Sequence, residues 1–323
     1  MAISSNIYTD ITVAKTDDIV VTTLLNYRRQ LIDNFFNRQV FFFMLREKGA
    51  VRMEDGGERI VEHLGATDNL TTANYAGFDT IDTTPQETFK IALYEWKQYA
   101  SSITISRREE RQNSGRHRII NLLQARINWA EESIRNKINT DLFATSQANK
   151  AIGSLDFIAN TGALGQITGT DSDSGFWQGT VTASGSFAGQ GLSDMRTLYN
   201  TLSSSSGVDA PNMVITTQSV FEFYEGELQP QMRFSDERLA DGGFVSLTYK
   251  GNPFVFDKAC TTGRLYMLNL DFLSLVIDRA SNFVPSPFVR PANQDARTSQ
   301  LLFMGELTTN NRRRQGKLTG ITA

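Results

Sequence analysis

Few side-chain types carry chemistry, and this sequence is sparing with them. Two histidines, His63 and His117, and one cysteine, Cys260, occur in 323 residues. That is too few for a histidine-built tetrahedral zinc site, which needs three or four such ligands. No Gly-x-x-x-x-Gly-Lys-Ser/Thr loop and no Gly-x-Ser-x-Gly elbow is present, so phosphate cradling and triad hydrolysis lack their usual signatures. Gly185, Gly189 and Gly191 have the wrong spacing for a dinucleotide fingerprint and read as loop. Asp171 and Asp173 before Gly175 begin like a calcium loop, but the closing Glu is missing, and a solvated acidic turn is the better reading. Cys260 reads as a small buried hydrophobe. Glycan hydrolysis needs two facing carboxylates. Glu131 with Glu132 would diverge as neighbours on a helix, and Asp171 with Asp173 falls in a loop-like stretch. No catalytic residue, metal or cofactor is expected.

The elements that would position any site are easier to read. The length suggests about two structural units. An apolar content of 40% and a charged content of 21% are ordinary globular values. The longest apolar runs fall well short of the roughly 18 residues of a membrane span, and no secretory signal precedes them, so synthesis in the cytoplasm is expected. The net charge of −3 excludes coating of DNA by bulk cationic attraction. Residues 151–230 hold eight acids against one base, a net of −7 that leaves +4 for the remainder, as two differently exposed units would.

Residues 1–20 are polar and without period, an extended arm that needs something to lie on. Leu24, Leu31, Phe35, Phe42 and Leu45 space a helix over 24–48, stopped by Gly49 and greasy enough to be wedged between layers. Phe89, Ile91 and Leu93 alternate, the phase flips to Tyr94 and Trp96, and alternation returns through Ile103 and Ile105. This predicts one strand of about 20 residues with a bulge near Leu93, reaching some 60 Å. Its partner begins near Arg59 and Ile60, across a turn-rich region, so a hairpin projects beyond its own domain and offers edges to another copy. Ile120, Leu123, Ile127, Ala130, Ile134, Ile138 and Leu142 then form one stripe of a helix of roughly 28 residues, with Arg118, Arg126, Glu132 and Arg135 opposite. A coiled coil fits less well because the pattern drifts from a strict heptad. Further on, the pattern predicts helices at 192–202 and 218–228 around a buried strand at 213–216. Short strands follow near 244–249, 253–257, 265–268, 273–277 and 301–304, and the basic run Arg312, Arg313 and Arg314 comes near the end.

This order of parts resembles the major capsid proteins of tailed bacteriophages, the Hong Kong 97 fold, over nearly the whole chain. Three stretches carry the likeness. They are Tyr75-Ala76-Gly77-Phe78-Asp79-Thr80-Ile81-Asp82, then Tyr94-Glu95-Trp96-Lys97-Gln98-Tyr99 with Ile103-Thr104-Ile105-Ser106, and the closing Asn311-Arg312-Arg313-Arg314-Gln315-Gly316-Lys317-Leu318. The resemblance implies an α+β fold with an N-terminal arm and helix (1–50) and an extended hairpin loop (51–106). A peripheral domain with the spine helix (107–150), an apical domain (151–270), and a return to the peripheral domain with the C-terminal tail (271–323) complete it. It implies self-assembly in hexamers and pentamers into an icosahedral shell around double-stranded DNA, without sequence-specific binding and without a membrane. It also implies a portal, a scaffolding protein, a possible decoration protein, assembly in the host cytoplasm and a final place in the virion. No long charged helical segment precedes residue 20, so scaffolding is expected from a separate chain. Some relatives join subunits through a Lys–Asn isopeptide bond promoted by a Glu. Lys90, Lys97, Asn310 and Asn311 are in suitable regions, yet no motif marks a reactive set. An encapsulin-like compartment shell and, more remotely, a phage-associated glycan hydrolase are the alternatives.

Two sets of subunit contacts are expected. Tyr94 and Trp96 should meet the spine helix of their own subunit or the surface of the next, with core packing as the plainer alternative. Arg312, Arg313 and Arg314 should pair with carboxylates of a neighbour.

Overall fold

The computed structural model describes residues 39–65, 69–85, 87–112, 116–148, 150–169, 175–204, 209–228 and 247–323. The arm over 1–20, most of the expected 24–48 helix and the Asp171–Asp173 turn lie outside them. The first described helix, α1 (Val40–Glu47), buries Val40, Phe41, Phe42, Met44 and Leu45 and precedes Gly49. Apolar residues almost all round it require cover on both sides.

The expected 20-residue strand is two strands in different sheets. After β1 (Val51–Glu54), strands β2 (Ile60–Gly65) and β3 (Phe89–Tyr94) form an antiparallel two-stranded ribbon. Its register runs unbroken from Ile60 opposite Tyr94 to Gly65 opposite Phe89, with no bulge at Leu93. The chain leaves the ribbon at Glu95 and Trp96 and enters β4 (Lys97–Ser106). The expected flip between Leu93 and Tyr94 is absent, since exposed Phe89 and Ile91 and buried Ala92 and Tyr94 belong to one unbroken register; the inward parity changes only past Tyr94, where the chain changes sheet. Even-numbered Ala92 and Tyr94 face inward before that point, and odd-numbered Tyr99, Ile103 and Ile105 after it. Six paired residues span about 20 Å, a third of the expected reach. The ribbon is also seated: Ile60, Leu64, Ala92 and Tyr94 pack on Trp177 and Val276. The expected hairpin unit 51–106 narrows to the ribbon and its loop, because β1 and β4 are both built into the body.

Beyond α2 (Arg107–Gln112) runs α3 (Arg116–Leu142), 27 residues or about 40 Å. Its buried residues Ile127, Ala130, Ile134, Ile138 and Leu142 follow the expected stripe, of which the side chains of Ile120 and Leu123 lie outside the description, but Arg135 is buried too, where the outer face was expected. A single turn, α4 (Leu155–Ile158), is capped by Ser154 and leads to β5 (Thr180–Ala183). Gly189 and Gly191 lie in a π-helical turn that opens α5 (Leu192–Leu202), in place of the expected loop. Then come β6 (Met213–Thr216), α6 (Gln218–Glu227), β7 (Leu247–Tyr249), β8 (Asn252–Phe256) and β9 (Arg264–Leu268). The strands β10 (Leu273–Pro285) and β11 (Ala296–Thr309) are far longer than expected, because irregular register between Ile277 and Val284 carries them past the polar stretch 278–282.

A four-stranded sheet, ordered β1-β10-β11-β4, carries α3 against β4. A six-stranded sheet is ordered β5-β12-β9-β6-β8-β7, where β12 is Gly316–Thr319. Residues 271–323 thus do not return to one place: β10 and β11 lie in the first sheet, while β12 crosses to the second and pairs between β5 and β9. The main core joins the two, since Met213, Ile215, Tyr266 and Leu268 pack with α1, α3 and the strands of the first sheet. The alternate residues Val214, Leu265, Met267 and Leu318 pack under α5 and α6. Cover on both faces explains why β6 is buried at every position.

Candidate assembly surface

The root of the ribbon is fastened by its own subunit. The Tyr94 hydroxyl donates to the Thr309 carbonyl at 3.1 Å, and burial pushes that hydroxyl well above its ordinary pKa. Tyr94 is therefore packed within its own subunit, the plainer of the two alternatives. Trp96 is half-buried and its indole N–H donates to the Gly57 carbonyl at 3.0 Å. The Leu93 N–H donates to the Gly165 carbonyl at 2.9 Å. Gly165 has φ +61, and a Cβ there would lie 2.9 Å from the Ala92 Cβ. Replacing it by Val is expected to cost about 2 kcal/mol through strain and overpacking. A lower melting temperature and faster proteolysis within 60–94 should follow, while Gly162→Ala, at a position with open space, should behave as wild type.

The three arginines point three ways, because they form a single 3-10 turn. Arg312 is fully buried. Its guanidinium donates to the carbonyls of Ile158 at 2.9 Å and Trp177 at 3.2 Å, and to those of Gly162 and Phe157. Burial pulls its pKa down to about 10, so it remains charged at neutral pH. It holds its own subunit together, with four of its five N–H groups on backbone carbonyls of the same chain. Arg314 donates to the Leu202 carbonyl at 2.7 Å and lies 3.4 Å from Asp209. Only Arg313 is exposed. Sequence gives three equal side chains; a turn of three residues separates them.

The other face of the ribbon is apolar and open. Val61, Phe89 and Ile91 are exposed there, with the exposed His63 among them. The line continues into the loop, where Leu70, Tyr75, Phe78 and Ile81 are exposed, Phe78 completely. Short side-chain turns hold the loop's shape. Asn69 Oδ1 accepts from the Thr71 N–H at 3.0 Å, Asp79 Oδ2 from the Ala76 N–H at 2.8 Å, and Asp82 Oδ1 from the Thr84 N–H at 2.9 Å. The Thr84 bonds also hold the Asp82 carboxyl below its usual pKa. Local turns satisfy the backbone and leave the large side chains outside. A second apolar feature is Trp129, 77% exposed, beside a cleft of about 530 Å³ between α3 and Ser101–Thr104 of β4, an edge strand of its sheet.

Among the described residues, the Glu131–Glu132 alternative finds no catalytic geometry. Glu131 is buried while Glu132 is exposed and lies 3.5 Å from Arg135, so the two diverge. Burial pushes the Cys260 thiol far up, away from nucleophilic character. Lys97 lies 3.2 Å from Glu95, and Lys90 stands over the Phe176 ring at 5.8 Å. Among the described residues, no group of three His, Cys, Asp or Glu is placed to hold a metal.

No protein-family model and no curated protein matches the chain. Solved structures do. The capsid asymmetric unit of cyanophage A-1(L) is 14% identical, with 85% of this chain and 91% of that one covered at a TM-score of 0.58. The satellite phage P4 procapsid, described as including size determination (Sid) protein, is 11% identical over 91% and 90% at 0.52. The capsid of a native GTA particle is 9% identical over 86% and 90% at 0.56. At such identities the matches establish the fold: the chain has the α+β, Hong Kong 97-type fold of tailed-phage capsid proteins.

Proposed function

We propose that the chain is a major capsid protein, a structural subunit without catalysis that closes into an icosahedral shell around double-stranded DNA. The observation that carries this is the capsid fold bearing an uncovered apolar line along the ribbon and loop. Phe89, Leu70 and Phe78 alone are 79%, 84% and 106% exposed. Leaving large apolar side chains in water forfeits about 1.5–3 kcal/mol each relative to burial, which a second copy would recover. Repeated around a closed shell, modest contacts become effectively intramolecular, and avidity replaces any single tight interface.

In this reading 1–50 is an arm and helix, the ribbon and its loop are the extended hairpin, and 107–150 with β10 and β11 make the peripheral domain. Residues 151–270 with β12 make the apical domain. Copies gather as hexamers and pentamers, with a portal, a separate scaffolding chain and possible decoration, and the particle assembles in the host cytoplasm to become the virion shell. The size determination protein in the description of the P4 procapsid supports a separate assembly factor.

Negative-stain imaging of the purified protein in assembly buffer tests this. Round closed shells are expected, and shells recovered from producing cells should contain double-stranded DNA. A monodisperse monomer at high concentration would sink the proposal. Shells filled with protein cargo and free of nucleic acid would make the chain a compartment protein instead.

A further inference from the structure

One short segment is gripped by charged side chains from both sheets. On the side of the four-stranded sheet, the Gly153 N–H donates to Glu306 Oε1 at 2.5 Å, and the Leu307 N–H donates to the same oxygen at 3.0 Å. On the side of the six-stranded sheet, Asp156 pairs with Arg264 and with Lys317 at 3.0 Å, and Tyr266 donates to it at 3.3 Å. Arg312 takes the carbonyls of Phe157 and Ile158. The same segment continues to Gly165, which receives the ribbon's Leu93 N–H. A cavity of about 550 Å³ lies between the ribbon root at Leu93, Tyr94 and Glu95 and the wall formed by Gly153, Phe157 and Glu306.

We propose that residues 153–158 form a joint between the ribbon and the two sheets, and that the protonation state of Glu306 sets how firmly the joint is closed. Glu306 is 3% exposed, and its carboxyl touches the segment so closely that a Cβ on Gly153 would meet it at 2.8 Å. Burial pushes its pKa up to about 8, against the pull of the two N–H bonds and of Lys97. The facing charged and titratable groups are Lys97 on β4, Glu95 at the ribbon root, Tyr94 on β3 and Tyr99 on β4. Glu62 of β2 approaches β11 through Thr308. Both tyrosines are pushed far up by burial and stay neutral across the range in question.

The sign follows from linkage. A carboxyl with a pKa of about 8 in the closed joint, against the ordinary 4.5 once water reaches it, holds a proton that the open joint releases. The closed joint is firmest in acid, loosens as pH rises through this interval, and loosens no further above about 8. Lys317, pulled down to about 8 from 10.5 by burial and by Arg264 and Arg312, acts oppositely and in a higher window, closing the joint as pH rises from 8. His63 lies exposed and does not line the cavity.

Hydrogen exchange on the full-length protein tests this, with rates corrected for intrinsic base catalysis. Protection in peptides covering 150–158, 303–309 and 89–94 is expected to fall by about tenfold or more between pH 6 and 8 and to fall no further above 8. Glu306→Gln keeps the acceptor oxygen without the charge and should hold protection flat over that range. A flat wild-type profile, or an equal fall in Glu306→Gln, overturns the proposal. Should the variant misfold, wild type alone decides: the fall must spare peptides within α6, and an equal loss there overturns the proposal as global unfolding. None of these readouts requires shells, so failure of the joint and failure of the capsid reading are separable.

Discussion

Arg312→Ala is expected to leave little soluble, folded protein, whereas Arg313→Ala should be indistinguishable from wild type in yield and melting. The buried guanidinium is the donor for four backbone carbonyls, on the α4 turn, at Gly162 and at Trp177. Truncation strands them. A buried acceptor left without a donor costs about 1–3 kcal/mol, so the sum is of order 5 kcal/mol, comparable to the whole stability of a typical domain at about 5–15 kcal/mol. Arg312→Lys should rescue only partly, since one ammonium cannot reach carbonyls that a planar fork spans. Soluble fraction and thermal melting check the series. A wild-type melting temperature for Arg312→Ala would show that these carbonyls find water, and that the turn is no anchor. The result also bears on assembly experiments: a triple Arg-to-Ala variant would lose shells by losing the fold, so only Arg313 and Arg314 can be used to probe contacts between subunits.

The contrast among these arginines shows where sequence was legible. Local periodicity survived folding wherever one face was buried and one was wet. The stripe from Ile127 to Leu142 on α3 and the alternation through Ile103 and Ile105 on β4 are both the patterns their spacing predicts. It failed where both faces are covered. Residues 305–309 of β11 are buried without alternation, so nothing in the spacing distinguishes Glu306, packed against Gly153, from a surface acid. It failed again where the chain changes partner. The pattern suggests a flip between Leu93 and Tyr94, whereas the ribbon is apolar on both faces and the inward parity changes past Tyr94 where the chain enters another sheet, which only tertiary pairing reveals. The crossing of β12 into the second sheet has no local signature, because Gly316-Lys317-Leu318-Thr319 would suit either sheet. The exposed loop was the most legible part. Asn69, Asp79 and Asp82 act as the turn formers their types suggest, and apolar residues between such turns have nowhere inside to go.

Deleting residues 69–82 is therefore expected to leave a folded subunit that forms no closed shells. The ribbon should survive, because its last pair, Gly65 opposite Phe89, lies outside the deletion and its inner face stays packed on Trp177 and Val276. The remaining connection of nine residues, 66–68 and 83–88, is long enough to join two antiparallel strands. None of the three core clusters contains a residue of 69–82, so the helical signal and the melting temperature should stay close to wild type. What the deletion removes is Leu70, Tyr75, Phe78 and Ile81, the outermost apolar side chains of the exposed line. Because a shell repeats every contact, a loss of about 1–2 kcal/mol at each copy multiplies over the particle and abolishes closure even where single pairs still associate weakly. Size-exclusion chromatography with negative-stain imaging reads the outcome. Regular closed particles from the deletion variant would refute the role of the loop in assembly. An unfolded variant would show instead that the loop supports the core, contrary to its exposure.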